Sequence, residues 1–215
     1  MNDPDLEQEK EAAARAAAQL VEPGMRVGLG TGSTVAYLLP ALAERGLDIT
    51  CVATSVHTEE AGRDLGLEII AFDTWDRLDI AIDGADQVTP DGWLMKGGGG
   101  AHTREKVVAA AADRFVVIAS SNKAMDVLVP PVPVELLPFG LESTLKAIAP
   151  TRTRDGAPSP DGGVLADYHG PLDDLALLAA RLADTPGVVG HGLFAPDLVA
   201  DVFIARGTEV EHRQL

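Results

Sequence analysis

Short apolar runs alternate with helix-forming stretches over the first 123 residues of the chain. Glycine, proline or polar residues bound each run, which is typical of buried strands. Strands that alternate with helices predict an α/β fold built on a parallel sheet. The strands are predicted over residues 25–29, 47–53, 67–72, 78–82 and 115–119, and the helices over residues 6–20, 35–42, 59–65 and 103–113.

This alternation changes at a proline-rich joint, residues 129–133, which predicts a domain boundary. Residues 1–129 are therefore expected to form one domain. Residues 130–197 have the order β-α-β-β-α-β of a smaller, ferredoxin-like α+β domain. Residues 198–215 are expected to complete the first domain: an apolar run returns to its sheet as a strand, and the charged tail 209–215 is predicted to be solvated. The smaller domain has predicted strands over residues 134–137, 151–154, 164–168 and 188–194, and predicted helices over residues 141–148 and 172–183.

Polar clusters follow the predicted strands of the first domain. They comprise residues 30–34, 54–58, 83–106 and 120–123. In an open parallel sheet, the carboxyl ends of the strands meet at one edge, and ligands bind there. The sequence therefore predicts one cleft to which all four clusters contribute.

The densest of these clusters is residues 83–106, which contains both paired aspartates and a run of glycines. Asp83 and Asp86 belong to the sequence D-G-A-D, where aspartates alone could simply form a turn. Lys96 is followed by four glycines, residues 97–100. Such a run costs backbone entropy, and it is favoured where a ligand must approach the main chain closely.

A second candidate for ligand binding is residues 28–34, with the sequence G-L-G-T-G-S-T between a strand and a helix. Glycines, hydroxyls and a helix N-terminus together suit a phosphate monoester. A purely structural turn is the alternative. The third glycine of a dinucleotide fingerprint is replaced by Ser33 and Thr34, and no Gly-Lys-Ser/Thr follows. An NAD-dependent dehydrogenase and a nucleotide-binding Walker loop are therefore disfavoured.

The chain is strongly acidic, with 33 Asp and Glu residues against 17 Lys and Arg residues and a net charge of -16. This charge disfavours a nucleic-acid partner, because phosphate backbones need a positive face. A bound phosphate would have to rely on backbone N–H groups and a few placed lysines. Lys96 and Lys106 are two of the candidates, since they flank the central glycines.

The cellular setting is predicted from cysteine content and from the absence of targeting signals. Cys51 is the single cysteine, so no internal disulfide forms, and a reducing compartment fits. Its position in an apolar run makes it a poor candidate nucleophile. The acidic, alanine-rich N-terminus has no apolar signal core, and no run has transmembrane length. We expect a cytoplasmic protein without a membrane partner.

Four blocks of the sequence together resemble type A ribose-5-phosphate isomerase. They are G-L-G-T-G-S-T at residues 28–34, D-G-A-D at 83–86, K-G-G-G-G-A-H-T-R-E-K at 96–106 and S-N-K at 121–123. The resemblance extends in order over nearly the whole chain. It implies a Rossmann-like parallel-sheet domain beside the smaller one, and a homodimer or homotetramer. It also implies interconversion of D-ribose 5-phosphate and D-ribulose 5-phosphate without a metal or another cofactor.

The same resemblance assigns roles to individual residues. Glu105 stands at the position of the catalytic base, with Asp83 and Lys96 as its catalytic neighbours. Asp86 is placed at the sugar, and Lys10 is a looser match to a phosphate-contacting lysine. The predicted substrate-binding residues are Thr31, Gly32, Ser33, Thr34, Asp83, Gly84, Ala85, Asp86, Lys96, Gly97, Gly98, Gly99, Lys123 and Lys10.

Three positions depart from the usual pattern of that family. Gln87 stands where Glu is common and is expected to remove a negative charge near the sugar. Gly100 and His102 stand where Ala and Leu are common. His102 is expected to alter the helix start or the pKa of Glu105.

The chemistry of an aldose–ketose isomerase fits these residue types. It needs one carboxylate to move a proton between C1 and C2, and a donor to stabilise the enediolate oxyanion. Enclosure should raise the pKa of Glu105, whereas Arg104, Lys106 and the helix N-terminus should lower it. Glu105 as a mere first-turn helix residue is the structural alternative. The sequence leaves the balance of these effects on the pKa open.

Two other function classes remain as alternatives. A sugar-phosphate deaminase or lactonase would need a catalytic histidine, and His57 or His102 would have to serve. A sugar-phosphate sensor of a transcriptional regulator would need a DNA-binding module. Only about 25 residues precede the first predicted strand, and the charge is acidic.

Overall fold

A computed structural model describes residues 4–215, which fold into fourteen strands and six α-helices. The strands are β1 (Arg26–Leu29), β2 (Thr50–Ala53), β3 (Glu68–Ile69), β4 (Ile80–Gly84), β5 (Gln87–Val88), β6 (Leu94–Met95), β7 (Phe115–Ser120), β8 (Val132–Leu136), β9 (Thr151–Thr153), β10 (Val164–Tyr168), β11 (Val188–His191), β12 (Leu193–Phe194), β13 (Asp201–Arg206) and β14 (Glu209–Gln214). The helices are α1 (Pro4–Ala18), α2 (Val35–Ala43), α3 (Val56–Asp64), α4 (His102–Ala111), α5 (Leu141–Ala147) and α6 (Leu175–Asp184).

The main sheet has seven strands in the order β14-β13-β7-β4-β1-β2-β3. All neighbouring pairs are parallel except β13 and β14. Strand β7, in the interior of this sheet, is buried throughout, as expected where helices cover both faces of a parallel sheet. The alanines of α1 pack with α2 against one face, and Val108 and Ala109 of α4 pack against the other. This arrangement confirms the predicted α/β fold.

A second sheet contains four antiparallel strands in the order β11-β8-β10-β9. With α5 and α6, it follows the predicted order β-α-β-β-α-β. Its core includes Val134, Leu136, Ile148 and Leu182. We call this the small sheet. The division into domains 1–129 plus 198–215 and 130–197 stays a prediction.

A third sheet of three short strands, β12-β6-β5, lies outside the predicted pattern. The stretch predicted as one strand, residues 188–194, is divided between β11 in the small sheet and β12 here. Gly192 separates the two, because its N–H donates to Pro133 O at 2.7 Å and its oxygen accepts from Lys96 N at 2.8 Å. A side chain at residue 192 would overlap the Lys96 carbonyl. The chain therefore changes sheets at this glycine.

The charged tail 209–215 is mostly exposed, as predicted, but its residues 209–214 also form a strand that was not predicted, β14, antiparallel to β13. Val210 packs against the core of the main sheet, and the His212 ring stacks on Phe203 with centroids 4.2 Å apart. The remaining side chains of β14 are mostly exposed and charged, which suits an edge strand that must resist pairing with other chains. The charge pattern therefore predicted the exposure of this segment but not its pairing with β13.

Among the helices of residues 4–215, none combines the length and the apolar character needed to span a bilayer.

Candidate active site

A cleft opens beside the carboxyl ends of β1, β4 and β7, which is the edge where the sequence predicts the polar clusters to meet. Thirteen of the predicted site residues line it. Asp83 lies directly beneath the lining, and Lys10 lies outside it. The lining residues are Thr31, Gly32, Ser33, Thr34, Gly84, Ala85, Asp86, Lys96, Gly97, Gly98, Gly99, Glu105 and Lys123.

At the base of the cleft, one buried ammonium is shared by two buried carboxylates. Lys96 Nζ lies 3.0 Å from Asp83 Oδ2 and 3.2 Å from Glu105 Oε2. The three side chains are only 3%, 4% and 5% exposed, respectively. Lys96 Nζ also donates to the carbonyl of Gly84. The trio therefore carries two potential negative charges around one positive charge.

Asp83 is held by main-chain donors as well as by Lys96. Its Oδ1 accepts the N–H of Thr31 at 3.0 Å and that of Gly84 at 2.7 Å. Asp83 ends strand β4, and Gly30 follows the neighbouring strand β1. A Cβ on Gly30 would overlap the Asp83 carboxyl group, so the close approach of the two chains requires glycine at residue 30.

Glu105 reaches the same ammonium from the first turn of α4. Its two basic sequence neighbours point elsewhere. Arg104 forms a two-bond pair with Asp161, at 2.8 and 2.7 Å. Lys106 Nζ donates to the carbonyls of His191 and Leu193, at 2.7 and 2.8 Å.

The structure decides the balance that the sequence left open for the pKa of Glu105. Burial is the dominant effect and raises this pKa to about 7, although the Lys96 ammonium acts in the opposite direction. The negative charge of Asp83 adds to the increase. Glu105 therefore titrates near neutral pH, where a proton carrier can both accept and release its proton.

The two carboxylates differ in how well the protein supports their charge. Burial raises the pKa of Asp83 too. Asp83, however, faces two backbone N–H donors and Lys96, whereas Lys96 is the one donor found for Glu105 within residues 4–215. Burial alone would lower the pKa of Lys96, but the two carboxylates raise it. The hydrogen bonds thus support the negative charge of Asp83 better than that of Glu105.

Gly97, Gly98 and Gly99 line the cleft and belong to residues 97–100, which we call the glycine loop. Gly97 adopts φ +109°, a conformation that favours glycine, and a Cβ there would lie 2.7 Å from His102 Nδ1. Asp86 Oδ2 accepts the N–H of Gly98 at 2.8 Å. Asp86 therefore shapes the loop while it also lines the cleft.

Another part of the cleft lining has the features of the predicted phosphate site. The segment from Thr31 to Thr34 enters α2, and Gly32 within it has φ +124°. The Thr34 side chain makes no capping bond, so the helix N-terminus keeps donors for a ligand. Lys123 lines the same cleft from a short 3₁₀ helix after β7.

Lys10 does not share this position. Its Nζ pairs with Glu7 at 2.7 Å on α1, and it is not among the residues that line the cleft. Its role as a phosphate ligand stays a prediction.

Several other expectations are changed by the fold. Gln87 does not line the cleft, because its amide bonds both the N–H and the carbonyl of Val129, at 2.8 and 2.9 Å. The expectation that it removes a charge near the sugar is therefore wrong. His57 is exposed on α3. His102 is fully buried, and burial lowers its pKa to about 4, so it brings no positive charge to Glu105 near neutral pH.

Sequence reasoning missed Arg154, whose Nη1 donates to Gly97 O at 2.8 Å. It lies 57 residues from Gly97 in the chain and belongs to none of the sequence blocks. No local signal marks it, because only the pairing of β9 with β10 brings it to the loop. Within residues 4–215, no group of three or more His, Cys, Asp or Glu side chains could hold a metal ion.

Comparison with known proteins agrees with this geometry. The family model for ribose 5-phosphate isomerase A (phosphoriboisomerase A) matches residues 50–209. A model of the DeoR C terminal sensor domain matches residues 6–70, a segment that ends before β4 and therefore lacks all three members of the buried trio.

Individual relatives cover almost the whole chain. Ribose-5-phosphate isomerase A of Gluconobacter oxydans is 41% identical over 229 aligned positions, which cover 99% of this chain and 99% of that protein. The solved ribose 5 phosphate isomerase A of Neisseria gonorrhoeae has a TM-score of 0.92 at 29% identity and covers 97% of both chains. A D-ribose-5-phosphate isomerase in complex with phospho-erythronic acid has a TM-score of 0.91 at 32% identity and covers 100% of both. The chain thus belongs to the ribose 5-phosphate isomerase A family.

Proposed function

We propose that this isomerase interconverts D-ribose 5-phosphate and D-ribulose 5-phosphate with Glu105 as the proton carrier. The observation that carries the proposal is the unequal support of the two buried carboxylates around Lys96. Asp83 has the donors needed to remain ionised, whereas Glu105 has a pKa raised to about 7 by burial. One carboxylate is thus suited to hold the ammonium, and the other is suited to move a proton.

In the forward direction, Glu105 removes the proton from C2 of the open-chain aldose. The electrons of that C–H bond form the C1–C2 double bond, and the carbonyl electrons settle on O1 to give an enediolate. Glu105 then returns the proton to C1, while the proton of the C2 hydroxyl passes to O1. This sequence needs one carboxylate that accepts and then donates on the same face of the sugar.

Lys96 is assigned to the negative oxygens of the enediolate. It is the buried cation nearest to Glu105, and its distance of 3.2 Å places it beside the carbons on which Glu105 acts. A fixed ammonium stabilises an oxyanion strongly in a site from which water is excluded. Asp83 keeps Lys96 oriented, and Asp86 is assigned to the sugar hydroxyls.

The phosphate is assigned to residues 31–34 and Lys123 of the same cleft. A relative of similar fold binds phospho-erythronic acid, whose name describes a phosphate at one end and a carboxylate at the other. A planar carboxylate resembles an enediolate in its charge and oxygen spacing. We infer that this chain binds a ligand of the same type with the carboxylate towards Lys96.

Three further assignments belong to the proposal. Lys10 approaches the phosphate when substrate is bound, residues 130–197 act as a separate domain beside the cleft, and the enzyme works in the cytoplasm as a homodimer or homotetramer.

The reaction can be tested in D₂O with ribose 5-phosphate and EDTA. We expect ribulose 5-phosphate to form at the same rate with and without EDTA. Deuterium should accumulate at C1 of the product over repeated turnovers. The cause is exchange of the proton on Glu105 with solvent. Absence of ribulose 5-phosphate would contradict the activity, and a product free of deuterium after many turnovers would indicate hydride transfer instead.

Lys123→Ala is expected to weaken substrate binding with little effect on the chemical step. Lys123 is assigned to the phosphate and is not a member of the trio, so its loss should raise KM by about tenfold or more, as for one charge-assisted bond. Steady-state kinetics measure this effect, and Lys146→Ala, on exposed helix α5, is the control. A collapse of kcat at unchanged KM would contradict the assignment.

A further inference from the structure

The glycine loop has little intrinsic order, because four successive glycines have the largest backbone freedom to lose on folding. One bond holds it to Asp86, and a second bond closes a turn within the loop. Gly98 N–H donates to Asp86 Oδ2 at 2.8 Å, and Gly100 N–H donates to Gly97 O at 3.1 Å. Gly97, Gly98 and Gly99 line the cleft, so their positions define part of the sugar-binding surface.

The small sheet supplies a third constraint through Arg154. The guanidinium group gives Nε and Nη2 to the two oxygens of Asp167, at 2.9 and 2.6 Å. Its remaining nitrogen, Nη1, donates to Gly97 O at 2.8 Å. A planar guanidinium held by two parallel bonds has its other donors fixed in direction. Asp167 therefore aims Arg154 at the glycine loop.

Leu165 supports the same loop from the same strand. A Cβ on Gly100 would lie 2.5 Å from Leu165 Cδ1, so this leucine packs directly under the loop. Leu165 and Asp167 are both on β10, which is paired on both sides, with β8 and with β9. The loop thus rests on a strand in the interior of the small sheet.

Lys96 is fixed independently of Arg154. Its N–H donates to Gly192 O at 2.8 Å, and its ammonium is held by Asp83 and Glu105. Loss of Arg154 would therefore release the residues that follow Lys96 without releasing the ammonium itself.

We propose that Arg154, oriented by Asp167, is a positioning residue that holds the glycine loop in its substrate-binding conformation. It contacts the loop carbonyl and acts on substrate through the loop. This inference rests on the proposed function for its kinetic readout. Its structural readout can be measured without substrate.

A competing explanation is that Arg154 simply attracts the anionic substrate by its positive charge. Each positive charge could matter in this way, because the chain as a whole has a net charge of -16 and repels anions. The two explanations differ for Asp167. Arg154→Met removes a positive charge and Asp167→Asn removes a negative one, so attraction predicts opposite changes in KM. Positioning predicts that both substitutions raise KM. Asp167→Asn leaves the guanidinium of Arg154 without its partner, and Arg154→Met removes the guanidinium altogether.

The kinetic test therefore compares Arg154→Met, Asp167→Asn and the double variant. We expect each single variant to raise KM by about tenfold, the scale of one charged hydrogen bond, with kcat within about threefold of the wild type. The double variant should be no worse than the worse single variant, because both residues act as one unit. The pH at which kcat/KM falls by half should stay unchanged, since the trio is untouched.

The structural test is hydrogen exchange of the glycine-loop amides in the substrate-free protein. Both single variants should exchange these amides faster, by about tenfold, with the melting temperature lowered by only a few degrees. Arg77→Met is the matched control: Arg77 forms an equal two-bond pair with Asp113, at 2.6 and 2.6 Å, and has no bond to the loop.

Several results would overturn the proposal. KM changes of opposite sign, with a double variant that returns to the wild-type value, would establish attraction instead. Unchanged loop exchange in Arg154→Met would show that the loop needs no support from the small sheet. Faster exchange in a protein that does not turn over ribose 5-phosphate would leave the positioning role intact and contradict only the proposed function.

Discussion

Glu105→Gln is expected to bind ribose 5-phosphate with a near-normal KM and to lose about 10²–10⁴-fold in turnover. The amide has the shape of the carboxylic acid but cannot accept a proton from C2. Its neighbour Lys96 keeps Asp83 as a partner at 3.0 Å, so the buried ammonium remains paired and the cleft should keep its form. Steady-state kinetics and the affinity for a non-reacting sugar phosphate measure the two effects separately.

A matched control addresses the alternative that Glu105 serves only the dipole of its helix. Glu142 occupies the first turn of α5, as Glu105 does in α4, but it is exposed and remote from the trio. Glu142→Gln should therefore leave turnover unchanged. Near-normal turnover in both variants would remove Glu105 from the mechanism.

The pH dependence of the wild type provides a second measure of the same role. Burial raises the pKa of Glu105 to about 7, so below that pH the group is protonated and cannot accept the substrate proton. Turnover should therefore fall as the pH falls through about 7, well above the range of a solvated glutamate. Phosphate esters titrate near pH 6, so the pH dependence of binding by a non-reacting sugar phosphate is the control. An acid limb near pH 4 would contradict the enclosed base.

Lys96→Met is expected to have the second largest effect, a loss of about 10²–10³-fold in kcat, the usual scale for removing one oxyanion donor. Methionine fills similar space without charge. The enediolate would then form without a cation beside it. Asp83 and Glu105 would face each other with no positive charge between them. Their repulsion should raise the pKa of Glu105 further and move the acid limb of turnover to higher pH.

The loss of charge can be separated from a loss of structure by chemical rescue. Lys96→Ala leaves space in the cleft, so added ethylammonium should restore part of the turnover, whereas an uncharged alcohol of similar size should not. Turnover within about tenfold of the wild type in Lys96→Met would exclude an oxyanion role, because that loss is below the range for such donors.

Sequence reasoning was most successful where chemistry and chain order coincide. Polar clusters after parallel strands were expected to meet at one edge of the sheet. The cleft brings together residues of three of the four clusters, whereas none of residues 54–58 lines it. The α/β fold followed from the same alternation, and the family comparison supports both.

What could not be predicted depends on distances between residues far apart in the chain. Sequence neighbours suggested that Arg104 and Lys106 would lower the pKa of Glu105, but both side chains turn away to other partners. Burial, which a sequence does not specify quantitatively, decides the outcome. Gln87 and Arg154 show the same limit, because their partners lie 42 and 57 residues away.

The glycine loop is bonded to Asp86 on one side and to Arg154 on the other. The entrance of the cleft is thus held by two sheets. A change in the position of β10 would alter that entrance through Arg154, whereas Lys96 and Asp83 have their own bonds to Gly192, Thr31 and Gly84. Substitutions on β10 offer evolution a way to adjust the admission of different sugars, at positions far in sequence from the residues that perform the chemistry.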